Sequence, residues 1–305
     1  MDNSRRLTNI DLPHASASPQ ERALQKAVSE ITMKIARPLV WHKVREPWPK
    51  RLLGGTCFII RFDTGLVGIT ADHVVREFEK DKRSGEEIVC QLRTVPLDLT
   101  SAIIDRDADL DVATFRVTEE QLAASNAIEL DCRSLPLPKP DKGREISLAG
   151  FPDNLQVESH RGSEIFKAFT YVTHIAAVGL RDIYATYDPR RDTRVLAAPE
   201  LPDSGANLSG CSGGPVLIHV LRNGCHRWFP VGLIIKGPCE TDQITSDDPQ
   251  PLPRTIRSIE FDTLRFRRID FGETVKTDGS IEKDDGGWLP PLTYFIRPQT
   301  EILSL

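Results

Sequence analysis

The sequence predicts an all-β protein, built as a sandwich or a barrel. From residue 52 onward, short runs rich in Val, Ile, Phe and Tyr alternate with Gly, Pro and Asp turns. No run approaches the ~18 apolar residues that a membrane helix needs. The predicted strands are Cys57–Phe62, Leu66–Thr70, Ile88–Leu92, Ala102–Ile104, Val112–Val117, Ile146–Leu148, Phe169–Val178, Ile183–Tyr187, Val195–Ala197, Pro215–Val220 and Phe229–Ile235.

An amphipathic helix is predicted near the N-terminus. Ser18 is placed to cap it, Pro19 fits its first position, and Glu21 completes a capping box. Apolar residues then recur at helical spacing until Pro38 stops the pattern, namely Leu24, Ala27, Val28, Ile31 and Ile35. Residues 1–45 therefore form an N-terminal arm, whose helix either packs on the main domain or docks a partner.

The remaining chain divides into a main domain and an extension. The main domain is predicted at 46–240, and the proline-rich segment Leu135–Lys142 divides it into halves at roughly 46–135 and 143–240. Residues 241–305 form a C-terminal extension that we expect to pack on the main domain, with a helix at 256–266.

The net charge and the cysteine pattern argue against some classes of function. The formal net charge of −5, without a basic stripe, argues against binding nucleic acid through its phosphates. No apolar run follows the Arg pair near the N-terminus, so we expect no export signal, no membrane insertion and a cytoplasmic location. In that reducing compartment the six cysteines are expected to be free and mostly buried thiols. Their irregular spacing argues against structural zinc.

The segment Asn207–Val216 is the most informative one for chemistry. Glycines on both sides of Ser212 allow a tight turn that exposes the hydroxyl and lets a substrate approach the backbone. Acyl transfer by serine needs such a turn, with backbone N–H groups directed at the developing oxyanion. A plain turn between strands is the other interpretation of the same residues.

The segment also fits G-x-S-x-G, the nucleophile elbow of α/β-hydrolases. That elbow lies between a strand and a helix, and its acid and histidine follow the serine in the chain. Here strand-forming residues follow Pro215, and the last histidine, His226, comes only fourteen residues after Ser212. The α/β-hydrolase hypothesis therefore fails.

Two upstream residues could complete a catalytic set. His73 follows an apolar strand and the small residue Ala71, and Asp111 opens the alternating strand Val112–Val117. Taken alone, each is more typical of a structural histidine or a solvated turn aspartate. Asp107 and Asp109 are also near, but Asp111 alone is in register with the strand.

Together these segments resemble the trypsin-like (chymotrypsin-fold) serine peptidases, particularly their bacterial HtrA-related branch. The family patterns T-A-x-H-V, D-[IV]-A-x-x-[RK]-V and G-x-S-G-G-P match Thr70–Val74, Asp111–Val117 and Gly210–Pro215. Weaker matches are Gly55–Phe58, Gly150–Pro152 and Val231–Ile234. The resemblance covers roughly residues 52–240 and leaves both ends unexplained.

The resemblance implies two six-stranded antiparallel β-barrels with the active site between them. It implies a serine endopeptidase in which Ser212 is the nucleophile, His73 the base and Asp111 the residue that orients the base. The N–H groups of Gly210 and Ser212 would form the oxyanion hole. The substrate would be a polypeptide, and neither a metal nor an organic cofactor is needed.

Specificity is implied only by position in the family pattern. Ala206 would lie at the base of the primary pocket, so a small or medium apolar residue is expected there rather than Lys or Arg. Ile235, Lys236 and Gly237 would lie on the strand that pairs with substrate backbone, where Lys236 could favour an acidic residue.

Several alternatives stay open. Cys211 stands where digestive relatives carry an aspartate, which argues against zymogen activation through a new N-terminus, and its thiol competes with Ser212 as the nucleophile. The chain could be a catalytically silent binding or regulatory module, an esterase using the same three residues, or a structural β protein. A regulatory protein partner could act through the N-terminal helix or the C-terminal tail.

Overall fold

The computed structural model describes residues 27–28, 30–47, 52–62, 65–131, 140–152, 156–158, 164–166, 168–178, 182–186, 209–222, 225–236, 263–268, 273–275 and 281–283. Its helices are α1 at 27–28 and 30–35, α2 (Asp72–Lys82), α3 (Leu99–Ala102) and α4 (Glu119–Ser125). None of the helices in this part of the chain has the length and apolarity needed to cross a membrane.

The strands are β1 (Arg37–Lys43), β2 (Leu53–Phe62), β3 (Gly65–Thr70), β4 (Ile88–Leu92), β5 (Val95–Pro96), β6 (Ile103–Asp107), β7 (Val112–Val117), β8 (Leu130–Asp131), β9 (Glu145–Gly150), β10 (Gln156–Glu158), β11 (Glu164–Phe166), β12 (Phe169–Val178), β13 (Asp182–Thr186), β14 (Pro215–Arg222), β15 (Cys225–Lys236), β16 (Thr263–Arg268), β17 (Glu273–Val275) and β18 (Ile281–Lys283). The all-β class is confirmed. The predicted strand Val195–Ala197 lies outside the described residues.

The first large sheet has eight strands in the order β5-β4-β1-β2-β3-β7-β6, with β8 pairing in parallel with β2. β5 and β8 have two residues each, so the longer strands form the body of the sheet. The pairing path ends at β5 and β6, and no strand pair joins these two ends in the described chain. Closure of this half into a six-stranded barrel therefore stays a prediction.

The second large sheet is a closed barrel with the order β12-β13-β16-β15-β14-β9. β16 pairs with β13 on one side and with β15 on the other. The predicted helix at 256–266 is therefore wrong for residues 263–266, whereas 256–262 lie outside the described residues. Leu264 and Phe266 alternate with arginines, which is the two-residue period of a strand. The barrel thus includes chain beyond residue 240.

The cores of the two sheets are joined. Trp41, Phe58 and Phe115 are at most 1% exposed and centre the core of the first sheet. The same apolar cluster includes Leu217 of β14 and Leu233 of β15, which belong to the barrel. Packed side chains therefore fix the two sheets against each other.

Helix α1 contacts both sheets. The Thr32 hydroxyl donates a hydrogen bond to the Ser147 hydroxyl in β9 at 2.9 Å, and Ile35 is buried in the core of the first sheet. The helix ends before Arg37, where β1 begins. These contacts favour packing over partner docking for the described turns, and the predicted cap at Ser18 lies outside them.

Candidate active site

His73 is the second residue of α2, directly beyond the end of β3. Ala71, the N-cap residue between β3 and α2, is extended (φ −74°, ψ 142°), and the helix then buries Val74, Val75 and Phe78. The charged side chains of α2 complement its helix dipole, because an acidic residue lies in the first turn and lysines lie in the last. The His73 side chain is 30% exposed, so the ring is held by the helix and still accessible.

Both carboxylate oxygens of Asp111 contact His73. Its Oδ2 lies 2.7 Å from His73 Nδ1, and its Oδ1 accepts the His73 backbone N–H at 2.8 Å. Asp111 ends the turn between β6 and β7 with φ +55°, an uncommon conformation for a non-glycine residue that aspartate adopts more readily than most. Asp107 is used differently, because it accepts a hydrogen bond from Leu110 N at 2.8 Å.

The environment keeps Asp111 ionised. Burial alone would raise the pKa of this carboxyl, but the hydrogen bonds from the His73 ring and backbone, the charge of His73 and that of Arg76 outweigh it. The net result is a pKa below the ordinary value. Since a carboxylate can only accept, Nδ1 of His73 donates to Asp111, and whenever the ring is uncharged Nε2 has a free lone pair.

Ser212 lies in a turn at residues 209–214, directly before β14. Gly214 N donates to Cys211 O at 2.9 Å, and Gly213 N donates to Ile234 O of β15 at 2.7 Å. Gly210 has φ +93° and Gly213 has φ +85°, values that glycine adopts without strain. The Ser212 side chain is partly exposed at the surface of this turn.

Thr56 of β2 anchors the turn from the first sheet. Its backbone N–H donates to Ser212 O at 2.7 Å, and its hydroxyl donates to Gly210 O at 2.7 Å. The same hydroxyl accepts the Phe151 N–H at 3.0 Å. The sequence points to Thr56 only through a weak motif match, because its role depends on a contact between segments that are distant in the chain.

Glycines bring the serine turn against the segment that carries His73. A Cβ on Gly55 would lie 2.6 Å from Val74 Cγ2 and 2.9 Å from Ser212 O. A Cβ on Gly213 would lie 2.9 Å from Ala71 N. Residues next to His73 in sequence therefore pack directly against the Ser212 turn.

The two proposed oxyanion donors are unused in the described structure. Neither Gly210 N–H nor Ser212 N–H donates to any group among the described residues, although the carbonyls of both residues accept hydrogen bonds. Both amides belong to the same tight turn as the hydroxyl. This is the arrangement that an oxyanion hole requires.

Cys211 faces away from the candidate site. Its side chain is 1% exposed and belongs to the apolar cluster of the barrel. It fills space that Gly150 leaves, since a Cβ there would lie 2.7 Å from the Cys211 sulfur. Cys57, Cys90 and Cys211, the cysteines whose side chains are described, are buried thiols outside any disulfide, as predicted.

Only some of the predicted specificity residues lie in the described part of the chain. Ile235 is partly exposed on β15, Lys236 ends that strand, and Ala206 and Gly237 lie outside the described residues. Among the described side chains, no three His, Cys, Asp or Glu residues gather as metal ligands.

The structure thus defines a mostly β protein of two antiparallel sheets, with a His–Asp pair beside a glycine-bounded serine turn. No protein-family model matches the chain, and no curated protein matches its sequence.

Two solved structures resemble the chain distantly. One comes from a study of the coupled folding and binding of the Sesbania mosaic virus VPg protein; it is 11% identical with a TM-score of 0.37, covering 77% of this chain and 91% of that one. The other is Deg5, an HtrA protease, 14% identical with a TM-score of 0.40, covering 72% of this chain and 87% of that one. Scores this low carry no argument about activity, so the interpretation depends on the geometry of this chain.

Proposed function

We propose that the chain is a serine endopeptidase of the trypsin-like type. The observation that supports this best is the two-point hydrogen bonding between His73 and Asp111, on a helix that packs against the Ser212 turn through Gly55. A structural His–Asp pair needs neither a partly exposed serine in the neighbouring turn nor turn amides that donate to no group in the described part of the chain. The combination is what nucleophilic catalysis by serine requires.

The chemistry proceeds in two half-reactions. The Oγ of Ser212 bonds to a peptide carbonyl carbon while Nε2 of His73 takes the hydroxyl proton. The imidazolium then protonates the departing amine, the C–N bond breaks, and an acyl-enzyme remains. Water attacks the ester, giving its proton to Nε2, and the acid is released as the proton returns to Ser212.

Asp111 and the turn amides supply the electrostatic part of this mechanism. The ionised carboxylate fixes the Nδ1–H tautomer and stabilises the imidazolium in both half-reactions. The N–H groups of Gly210 and Ser212 stabilise the negative oxygen of the tetrahedral intermediate. In known cases one such donor lowers the barrier by about 3 kcal/mol.

The proposed substrate preference rests on the family resemblance. Without an acid at Ala206, we assign a small or medium apolar side chain to the primary pocket. Lys236, at the end of β15, favours an acidic residue nearby on the substrate. A library of peptide substrates tests both assignments.

Labelling with a fluorophosphonate probe tests the nucleophile. The wild-type protein should form one covalent adduct, and Ser212→Ala should abolish it. Ser101→Ala, which removes an exposed serine on α3, is the matched control and should label normally. Cys211→Ala should also label, because its thiol is buried in the barrel core.

Comparison of peptide and ester substrates tests the reaction class. Peptide hydrolysis that is lost in Ser212→Ala supports the endopeptidase. Ester hydrolysis without peptide hydrolysis indicates an esterase. Folded wild-type protein that forms no adduct refutes catalysis and supports the binding-module hypothesis.

A further inference from the structure

We infer that Arg106 is a positioning residue for the His73–Asp111 pair. It lies in β6, five residues before Asp111, and it contacts the residue that precedes His73. This inference rests on the proposed function, which gives the pair its catalytic role.

Arg106 holds α2 at two points. Its Nε donates to Asp72 Oδ1 at 2.6 Å, and its Nη1 donates to Glu79 Oε1 at 2.6 Å. Asp72 and Glu79 lie seven residues apart, which is two turns of the helix. A planar guanidinium with two such contacts fixes both the position of the helix and its rotation about its axis.

These contacts connect the two halves of the pair. Asp72 is the first residue of α2 and precedes His73, whereas β6 leads through a four-residue turn to Asp111. The hydrogen bonds of 2.7 and 2.8 Å in the pair tolerate only small displacements of either element. Catalytic geometry of this kind must be held within about 0.5 Å. Arg106 contacts the helix from β6, the strand that leads into the turn ending at Asp111.

A series of ion pairs connects Arg106 with the His73–Asp111 pair. Asp72 is 1% exposed, and Arg76 Nε lies 3.1 Å from its second oxygen. Arg76 Nη2 also lies 3.9 Å from Asp111 Oδ1. Without Arg106, Arg76 would be the one cation paired with the buried Asp72 carboxylate among the described residues, and we expect it to be drawn away from Asp111. Arg106 therefore affects both the placement and the charge environment of Asp111.

The same ion pairs could serve stability alone, and the variants are chosen to separate the two roles. Arg106→Gln removes the charge, and Arg106→Lys keeps it without the paired donors. Arg83→Gln is the matched control. Arg83 Nη2 lies 3.5 Å from Glu79 Oε2 on the same helix but is 77% exposed. Melting temperature is measured beside the rate of Ser212 phosphonylation across about pH 5 to 9, where a histidine titrates.

Arg106→Gln should slow phosphonylation of the folded protein by about 10- to 100-fold at every pH, because small misplacements of catalytic groups have effects of this size. Arg106→Lys should recover part of the rate, and Arg83→Gln should stay within about twofold of wild type. A lowered melting temperature with a wild-type rate in Arg106→Gln would show a purely structural role and overturn the inference. If Arg106→Gln does not fold, Glu79→Gln removes one contact and should still slow the reaction severalfold; an unchanged rate overturns the inference.

A readout independent of activity keeps the inference distinguishable from the proposed function. The Nδ1 proton shared by His73 and Asp111 should give a downfield proton NMR signal in the wild type and in Arg83→Gln. That signal should weaken or vanish in Arg106→Gln. If the wild type is not phosphonylated, the proposed function fails, while the signal still tests positioning. An unchanged signal in Arg106→Gln contradicts it.

Discussion

Gly213→Ala tests whether the serine turn is packed as tightly as the structure indicates. The new Cβ would lie 2.1 Å from Thr56 O and 2.3 Å from Thr70 Oγ1, so the backbone must move. With φ at +85°, the left-handed conformation costs about 1–2 kcal/mol and the overpacking about 1–3 kcal/mol more. We expect a loss of about 3 kcal/mol in unfolding free energy, and phosphonylation of Ser212 at least 100-fold slower, roughly the effect of losing an oxyanion donor.

Gly85→Ala is the control that isolates packing from backbone strain. Gly85 has φ +81°, but a Cβ there has nothing within 4 Å. It should lose only about 1 kcal/mol, a melting shift of about 3 °C against about 8 °C for Gly213→Ala, with reactivity unchanged. Thermal unfolding and probe kinetics on the same samples give both numbers. Equal shifts in the two variants, with normal labelling, would refute the packing of the turn against β2 and β3.

Three further predictions concern charged groups. Asp111→Asn should keep the fold but lower turnover by about 10⁴-fold, because the amide no longer fixes the tautomer of the His73 ring. A loss of less than about tenfold in steady-state assays would contradict this. Hydrogen bonds hold the pKa of Asp111 below its ordinary value, so the ionised carboxylate stabilises the fold above about pH 4, and this stabilisation is lost as pH falls through the lowered pKa. The unfolding free energies of wild type and Asp111→Asn, measured with urea, should therefore converge toward pH 2. A difference that stays constant with pH would contradict this. Arg37→Met should lose about 2–3 kcal/mol in urea unfolding, because the guanidinium donates to the carbonyls of Ser125 and Asn126 and to two carbonyls of its own segment, and burial lowers its pKa to about 10. A change under about 0.5 kcal/mol would contradict this.

Local patterns in the sequence predict much of the fold. Strands with a clear two-residue period, such as Val112–Val117 and Phe169–Val178, have the predicted ends. The sequence does not predict β1, because Pro38 is typical of a residue that stops a helix. In the structure the helix ends at Ile35 and Pro38 lies inside the strand. β16 is hard to predict because its partner strands are distant in sequence, although its Leu and Phe residues alternate with arginines as in a strand.

Part of the candidate site can likewise be predicted from local sequence patterns, and part cannot. The choice of Asp111 over its neighbours could be made from strand register, and the structure pairs it with His73. The anchoring by Thr56 and the contacts of Arg106 could not, because each depends on side chains that only the fold brings together. A charged residue close to a motif is usually solvated, so the sequence offers no signal that separates Arg106 from other arginines.

A crystal structure of the fluorophosphonate adduct tests the central claim most directly. We predict phosphorus bonded to Ser212 Oγ and a phosphonyl oxygen about 2.7–3.1 Å from the N–H groups of Gly210 and Ser212. The Nε2 of His73 should lie within about 3.2 Å of the serine oxygen or the adduct. Phosphorus on another side chain, or an imidazole directed away from Ser212, would contradict the account.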